Sequence, residues 1–242
     1  MRLTRVFVDE PLATGKSLNV GGSAANHIMR VLRAREGDEL TLFDGRGGEY
    51  GARIAGFRKD SVQVELKEHR TVERESMLDL TLAQGISRGE RMDWVMQKAT
   101  ELGVTRIVPV ITERTMVKLD ERQAARKIEH WRAIVISACE QCGRNRVPEL
   151  TLPTSYIEAV RAIDHDVTRV LLSPTGTLRA RDLGNPSRVA ILIGPEGGLS
   201  DNEQEAAIAA GFQPLRMGPR ILRTETAAIA ALAALQHNFG DI

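Results

Sequence analysis

The chain has 242 residues, of which 42% are hydrophobic, and its 33 basic and 32 acidic residues leave a net charge of +1. This length allows one large domain or two ordinary ones, and the apolar fraction excludes a disordered chain. The small net charge excludes a uniformly cationic protein, so any nucleic-acid surface must be a local patch.

No stretch approaches the ~20 apolar residues that a membrane span requires. The N-terminus leads into a strand pattern and not into an apolar signal segment. We therefore expect a cytoplasmic protein without a membrane partner.

The first 70 residues have the pattern of a small β domain. Alternating or β-branched runs predict strands at residues 3–8, 39–43, 50–57 and 61–66, and a short helix is predicted at 24–32. Glycine-rich and charged turn sequences separate these strands. A small barrel or curled sheet is the expected product.

A charged connector at residues 71–76 precedes a change of pattern. Strands are then predicted at residues 78–83, 106–110, 169–173, 189–193 and 213–217, with helices between them. This alternation is typical of an α/β domain. We place the boundary near residue 73, which gives domains at 1–72 and 73–242.

Two helices have informative apolar patterns. The helix at residues 90–102 is amphipathic, so its apolar face is expected in the core, as are Trp94 and Trp131. The last helix, at 227–235, is apolar on every side and built from small residues. We expect it to be buried all round, inside the domain or across a subunit interface, and we infer a homodimer.

Two glycine-proline loops lie at residues 193–200 and 217–226, each after an apolar run and before a helical pattern. An α/β sheet places its ligand crevice at this position. Ser200 and Glu203 form a predicted capping box. Glu196 is unfavourable for a pyrophosphate but compatible with a neutral or cationic ligand. The spacing also lacks the nucleoside-phosphate motifs. We predict an adenosine-like ligand without phosphates; an ordinary turn is the alternative.

Cys139 and Cys142 form a C-x-x-C pair, which is found in redox and zinc sites. The chain has no second pair, and a structural zinc site needs four ligands. We therefore predict no metal.

A basic segment at residues 27–35 contains no acidic residue until Glu36. Together with the arginines of the first strand it forms a local patch suited to phosphate contacts. The candidate RNA-binding residues are Arg2, Arg5, His27, Arg30, Arg33 and Arg35. A solvated helix face with a structural His27 is the alternative interpretation.

Four motifs occur in order behind the segments 5–7 and 27–33. They are Thr-Glu-Leu-Gly-Val at 100–104, Glu-Gln-Cys-Gly-Arg at 140–144, Ile-Gly-Pro-Glu-Gly-Gly at 193–198 and Leu-Arg-Thr-Glu-Thr-Ala at 222–227. With this order and spacing, the chain closely resembles the RsmE family of ribosomal RNA uridine-N3 methyltransferases over nearly its full length.

The resemblance implies a PUA-like β-barrel followed by a SPOUT α/β domain with a C-terminal trefoil knot. General topology rules would exclude a knot, so only the resemblance suggests it. It also implies that S-adenosylmethionine binds in the knot, held largely by backbone groups of three loops. The matching positions are Leu172, Ser173, Pro174, Gly194, Pro195, Glu196, Gly197, Gly198, Met217, Gly218, Arg220, Ile221 and Leu222.

The implied reaction transfers a methyl group to N3 of one uridine in small-subunit (16S) ribosomal RNA. N3–H is a weakly acidic imide, so its proton must be removed or its anion stabilised. Arg144 and Arg223 are the candidates for stabilising the charge, and Glu140 or Glu225 for accepting the proton. Glu225 could instead favour the start of a helix beside a Thr224 cap, and Arg144 could bind only phosphate.

Two other functions stay open at this point. The first is a non-catalytic RNA-binding factor of ribosome assembly that uses the barrel alone. The second is a nucleotide-dependent oxidoreductase on a Rossmann sheet, which the missing G-x-G-x-x-G motif disfavours.

Overall fold

The computed structural model describes residues 4–116 and 120–242, so the predicted RNA contact Arg2 lies outside the described residues. The chain forms two compact units. The N-terminal unit comprises the residues up to Glu75 together with Cys139–Val147, and the C-terminal unit comprises Ser76–Ala138 and Pro148–Ile242.

The N-terminal unit is a five-stranded sheet in the order β1-β3-β4-β5-β2. Its strands are β1 (Arg5–Phe7), β2 (Ser17–Val20), β3 (Glu39–Phe43), β4 (Glu49–Phe57) and β5 (Val62–Arg70). β1 pairs parallel with β3, and the remaining pairs are antiparallel. The sequence prediction missed β2. This edge strand buries only Val20 fully, so it carries little apolar signal.

The core of the N-terminal unit lies between the curved sheet and a short helical segment. That segment is α1 (Gly22–Asn26), which continues as a π-helical turn over His27–Val31 and directs Ile28 into the core. Register shifts between β4 and β5 occur at Gly51/Ala52 and at Ile54/Gly56. Such bulges bend a sheet and increase its twist, as a curled sheet requires.

The segment Cys139–Val147 is held to the first strand of the N-terminal unit by polar contacts. Arg5 Nη2 donates to Asn145 Oδ1 at 2.6 Å and to the Arg144 carbonyl at 3.2 Å. Arg74 Nη1 donates to the Gly143 carbonyl at 2.9 Å. The predicted boundary near residue 73 assigns this segment to the second domain. The sequence did not show that it belongs to the N-terminal unit, because its partners are about 70 to 140 residues distant in the chain.

The C-terminal unit is a sheet in which every pairing is parallel, in the order β12-β10-β11-β6-β7-β8, with β9 also beside β7. Its strands are β6 (Asp79–Gly85), β7 (Arg106–Ile111), β8 (Glu149–Leu150), β9 (Thr154–Ser155), β10 (Thr168–Leu172), β11 (Arg188–Ile193) and β12 (Gln213–Leu215). The α/β class is therefore confirmed. The helices are α2 (Glu90–Glu101), α3 (Glu121–Cys142), α4 (Tyr156–Arg161), α5 (Asp201–Ala209) and α6 (Thr224–Phe239), with a 3₁₀ turn at Ala180–Asp182.

The strand order of this sheet reverses between β6 and β11. From β6 the chain first builds toward β7 and β8, and it later adds β10, β11 and β12 on the other side. The carboxyl ends of parallel neighbours meet at one edge of a sheet, and ligand crevices form where the order reverses. The loops after β10, β11 and β12 consequently lie side by side.

The structure confirms most of the core face predicted for helix α2. Met92, Val95, Met96 and Ala99 are buried, whereas Trp94 is 56% exposed. The prediction of Trp94 as a core residue was wrong, because its position faces away from the stripe formed by the four buried residues. Trp131 on α3 is fully buried, as predicted.

Helix α6 is buried on one side only. It packs against α2 and β11 and buries its alanine and leucine positions Ala228, Leu232 and Leu235. Ile229 and Ala230 are only half-buried, so α6 is not buried all round inside the domain. The alternative expectation, burial across a subunit interface, stays a prediction. Within the described ranges, none of the helices is both long and apolar enough to cross a membrane.

Candidate active site

A cavity of about 610 Å³ opens at the carboxyl ends of β10, β11 and β12. The loops that follow these three strands line it, together with the first turn of α6. All thirteen predicted cofactor positions border this one cavity: Leu172, Ser173, Pro174, Gly194, Pro195, Glu196, Gly197, Gly198, Met217, Gly218, Arg220, Ile221 and Leu222. The structure thus brings together three segments far apart in sequence. Cofactor binding at these positions stays a prediction.

The loop after β11 passes close to the end of β6. A Cβ atom added to Gly85 would lie 2.4 Å from the backbone nitrogen of Pro195, so only glycine permits this approach. The loop is also held from its other side, where Arg114 Nη1 donates to the Gly197 carbonyl at 3.0 Å. Its backbone is therefore fixed in place before any ligand enters.

A buried polar cluster joins this loop to α6. Gln84 Nε2 donates to the Gly85 carbonyl and to Thr224 Oγ1, each at 3.0 Å. Thr224 Oγ1 in turn donates to the Gly194 carbonyl at 2.7 Å. Thr224 is the first residue of α6, and Arg223 is the N-cap without a side-chain capping bond. The suggested capping role of Thr224 is therefore replaced by a bond to the loop.

Glu196 is fixed by the start of α2. Its Oε1 accepts from the Arg88 backbone N–H at 2.8 Å and from Arg91 Nη1 at 2.9 Å. Partial burial raises the pKa of Glu196, but these hydrogen bonds and the Arg91 charge outweigh it and leave the pKa below its ordinary value. One carboxylate oxygen is thus occupied by protein donors, which weakens the sequence argument that Glu196 balances a cationic ligand.

The helix after the same loop begins with the predicted capping box. Ser200 accepts from the backbone N–H of Glu203, and the Glu203 carboxylate accepts from the backbone N–H of Ser200 at 2.9 Å. The buried Glu203 also accepts from the Glu113 backbone N–H at 2.9 Å. The capping box therefore begins α5 and also holds the loop that contains Glu113.

Glu225 occupies the first turn of α6 at the cavity wall. Its side chain is 19% exposed, and Oε1 lies 3.9 Å from Arg91 Nε. Its Oε2 is buried and has no hydrogen-bond partner among the described residues. A buried carboxylate oxygen without a donor is energetically costly, so a ligand that supplies a donor would be stabilised here.

Comparisons with known proteins agree with this geometry. A family model described as "RNA methyltransferase domain" matches residues 74–236, and one described as "RNA methyltransferase PUA domain" matches residues 20–67. A curated relative from Buchnera aphidicola (Schizaphis graminum), named "Ribosomal RNA small subunit methyltransferase E", is 35% identical over 100% of this chain and 98% of its own. The chain belongs to this methyltransferase family.

Two solved structures are also similar to the chain. A methyltransferase from Legionella pneumophila in complex with the cofactor SAM is 44% identical, with a TM-score of 0.97 and complete coverage of both chains. A ribosomal RNA small subunit methyltransferase E from Neisseria gonorrhoeae, bound to S-adenosyl methionine, is 40% identical with a TM-score of 0.93, again over both whole chains.

The candidate catalytic residues of this methyltransferase fall in different units. Arg223 and Glu225 line the cavity of the C-terminal unit, whereas Glu140 and Arg144 belong to the N-terminal unit. Glu140 Oε1 accepts from the Phe7 N–H at 3.0 Å. Burial raises the pKa of Glu140, against the opposing effects of this bond and of nearby positive groups. The buried Arg144 donates from Nε to Glu75 at 3.0 Å.

The predicted RNA contacts of the methyltransferase also divide into two groups. Arg30, Arg33 and Arg35 are exposed. Arg5 is nearly buried, with 12% of its side chain exposed, and it pairs with the buried Glu49. Its Nη1 and Nη2 are engaged within the unit, where Nη2 holds Cys139–Val147, and this burial disfavours the predicted RNA contact. His27 is half-buried beside the core residue Ile28.

The two cysteines are free thiols in this methyltransferase. Burial raises the pKa of the Cys139 thiol to about 12, so it is not a reactive thiolate at neutral pH. In the part of the chain that the structure describes, no cluster of three potential metal ligands occurs.

Sequence reasoning missed Arg91 and Arg114, which also line the methyltransferase cavity. Each follows the carboxyl end of a strand, β6 or β7, adjoining the strand-order reversal. That position is a usable signal, but it becomes visible only once the strand order is known.

We predict that Glu196→Gln lowers the free energy of unfolding at pH 7 by about 1 kcal/mol, because it removes the negative charge that strengthens the hydrogen bonds from Arg88 and Arg91. The folded pKa of Glu196 lies below the ordinary value of 4.5. Its contribution is therefore complete above that value and is lost as the pH falls through the folded pKa. Urea unfolding from roughly pH 3 to pH 8 measures this difference.

The matched control is Glu205→Gln, an exposed carboxylate on α5. It should match the wild type throughout the pH range. A Glu196→Gln deficit of the same size in acid and at neutral pH would contradict the assigned ion pair.

Proposed function

We propose that the protein transfers a methyl group from S-adenosylmethionine to N3 of a uridine in small-subunit ribosomal RNA. The observation that carries the proposal is the convergence of three backbone loops and the unpartnered Glu225 Oε2 in one cavity. The cavity of about 610 Å³ lies within the usual range for small-molecule sites. Two solved structures, 40% and 44% identical over both whole chains, hold this cofactor. An RNA substrate of this kind places the protein in the cytoplasm.

The cavity walls fit an adenosyl compound without phosphates. They combine loop backbone and apolar side chains such as Leu199 and Met217 with the polar Ser173 and Gln204. Charged side chains also line the cavity: Arg91, Arg114, Glu196, Arg220, Arg223 and Glu225. Peptide N–H and C=O groups of the three loops bind the adenosine moiety. When bound, the cofactor supplies an electrophilic methyl group on a cationic sulfonium.

Two residues at the start of α6 act on the substrate base. Glu225 Oε2 accepts the hydrogen bond from uridine N3–H and then its proton, since it is buried and lacks another donor. Arg223 is exposed at the mouth of the cavity and stabilises the charge that develops on the flanking carbonyls. We assign Glu140 and Arg144 to holding the segment Cys139–Val147.

The C-terminal unit is a SPOUT domain in which the chain forms a trefoil knot. The support is the path of the chain after β12. Ser173 N–H donates to the Leu215 carbonyl at 2.9 Å, and Arg216 N–H donates to the Leu178 carbonyl at 2.8 Å. The chain then reaches Thr224, whose side chain bonds Gly194. The segment between β12 and α6 thus runs between the loops after β10 and β11.

The two units correspond to an RNA-binding domain and a catalytic domain, with the connection near residue 73. In the N-terminal unit, Arg30, Arg33 and Arg35 are exposed and form no ion pair within the described residues. Exposed arginines of this kind attract the phosphate backbone. The exposed Arg220 and Arg223 at the cavity mouth attract the same backbone next to the target base.

The protein is a homodimer through the outer face of α2 and α6. A second cavity of about 490 Å³ lies along these helices. It is lined by Trp94, Ile229, Ala230 and Ala233, with Glu225 at one end. An exposed apolar groove with small residues permits close approach of a second helix pair, and its continuity with Glu225 places that approach beside the active site.

Glu225→Gln should lower the single-turnover rate of N3-methyluridine formation by about 10²- to 10⁴-fold, because a positioned proton acceptor is lost. Calorimetric affinity for S-adenosylmethionine should stay near the wild-type value. The substrate is ribosomal RNA from a strain that lacks this protein, and modified nucleosides are mapped by mass spectrometry. Glu205→Gln is the matched control.

An unchanged rate in Glu225→Gln would refute the role of Glu225. Absence of N3-methyluridine with the wild type would refute the proposed reaction itself. A non-catalytic assembly factor would behave differently from both: Gly197→Trp, which blocks the cofactor loop, would then leave the cellular phenotype and RNA affinity unchanged.

Removal of an exposed arginine should change RNA binding and leave stability unchanged, whereas removal of a buried arginine should lower stability and leave RNA binding unchanged. We expect Arg33→Met to reduce the slope of log affinity against log salt by about 0.7 for single-stranded RNA, with stability unchanged. Arg5→Met should keep the slope but destabilise the fold by about 3 kcal/mol, because it breaks a buried pair. Salt titrations and urea unfolding measure both effects; a reversed pattern would contradict the assignment.

Ile229→Asp should convert the dimer to a monomer, because it buries a charge in the proposed interface. Sedimentation equilibrium at micromolar concentration measures the mass. Ile208→Asp on α5, where the isoleucine is 50% exposed, should stay dimeric. A wild-type protein that sediments as a monomer would rule out the dimer.

A further inference from the structure

Arg91 occupies a position between two carboxylates of the active-site cavity. Its Nη1 donates to Glu196 Oε1 at 2.9 Å, and its Nε lies 3.9 Å from Glu225 Oε1. Glu196 belongs to the loop after β11, and Glu225 belongs to the first turn of α6. One guanidinium on α2 therefore links the predicted cofactor loop to the predicted proton acceptor.

The two carboxylate oxygens of Glu225 have different surroundings. Oε1 faces Arg91, whereas Oε2 is buried without a hydrogen-bond partner among the described residues. A carboxylate that had no cation on one side would be free to change its side-chain rotamer and turn both oxygens away from the ligand. With Oε1 held toward Arg91, the other oxygen is presented to the ligand.

We infer that Arg91 is a positioning residue for the methyl transfer, which rests on the proposed function. It holds Glu225 so that Oε2 meets the N3–H of the substrate uracil. In the transfer, the N3–methyl bond forms as the sulfonium–methyl bond breaks, and the N3 proton passes to Glu225 Oε2. Arg91 neither binds the base nor takes the proton.

The same link connects cofactor binding to the placement of Glu225. Arg91 restrains Glu196 on the loop, and a second restraint on Glu196 comes from the Arg88 backbone N–H. Loss of the Arg91 guanidinium therefore loosens the loop without releasing it. The loss leaves Glu225 with no cation on its Oε1 side among the described residues. The larger effect is consequently expected on the chemical step.

The test uses the full-length protein with Arg91→Met, Arg91→Lys and the control Lys98→Met, which removes a cation from the other end of α2. Arg91→Met should lower the single-turnover rate at saturating cofactor and RNA by about 10²-fold, as a misplaced group can. Its Kd for S-adenosylmethionine, measured by calorimetry, should rise only about threefold, since one of the Glu196 hydrogen bonds remains. Arg91→Lys should recover part of the rate, and Lys98→Met should match the wild type.

A double-mutant cycle separates positioning from an independent role. If Arg91 acts through Glu225, then Arg91→Met added to Glu225→Gln should lower the rate no further than Glu225→Gln alone. The same 10²-fold loss in both backgrounds would overturn the inference. A rate for Arg91→Met equal to that of Lys98→Met would also overturn it.

Calorimetry provides a readout that does not depend on activity. Arg91→Met and Glu196→Gln break the same contact, so their effects on the Kd for S-adenosylmethionine should be less than additive. Additive effects would overturn the link between Arg91 and the loop. If the wild type binds the cofactor but does not methylate uridine N3, the proposed function is refuted. The Kd values of the Arg91→Met, Glu196→Gln and double variants then still show whether Arg91 is linked to the loop.

Discussion

The buried amide of Gln84 is the contact on which the site geometry depends. Through Nε2 it reaches both the end of β6 and Thr224, and Thr224 bonds the Gly194 carbonyl. The three groups come from β6, from the loop after β11 and from α6, and β6 is separated from the other two by 110 and 140 residues. An apolar residue at this position would leave the Thr224 hydroxyl with one partner fewer, so that only its bond to the Gly194 carbonyl would fix the start of α6 against the loop.

The parallel strand order explains why such a contact is possible at all. Because β6 and β11 are neighbours with the same direction, Gly85 and Gly194 leave the sheet at the same edge. Backbone segments there approach so closely that added Cβ atoms would clash. At Gly194 the nearest backbone atom would lie 2.9 Å away. Gly85 is thus required by its packing against the loop after β11, and Gly194 by the close approach of Gly198 within its own loop.

The sequence predicted the elements that carry a local periodic signal and missed those that depend on distant partners. Most sheet strands follow from apolar runs, the capping box from the spacing of Ser200 and Glu203, and two of the cavity loops from their glycine positions. The loop at 172–174 follows only from the family resemblance. The exposure of Trp94 follows from its position outside the apolar stripe of α2, which the prediction overlooked. The packing of Arg5 and the presence of Arg91 in the cavity could not be predicted in this way. Each is decided by groups far along the chain, such as Glu49 for Arg5 and Glu196 for Arg91, and a single sequence gives no register between them.

Although the composition is nearly neutral, the arginines differ in how much of their charge reaches the solvent. Of the 33 basic residues only six are lysine, and the arginines fall into two classes. Some, such as Arg5 and Arg144, are nearly buried beside carboxylates and contribute little to the external field. Others, such as Arg33 and Arg220, are exposed without an ion pair among the described residues. Since field strength at a surface depends on the unpaired charges nearby, a net charge of +1 is compatible with local phosphate-binding patches within each unit.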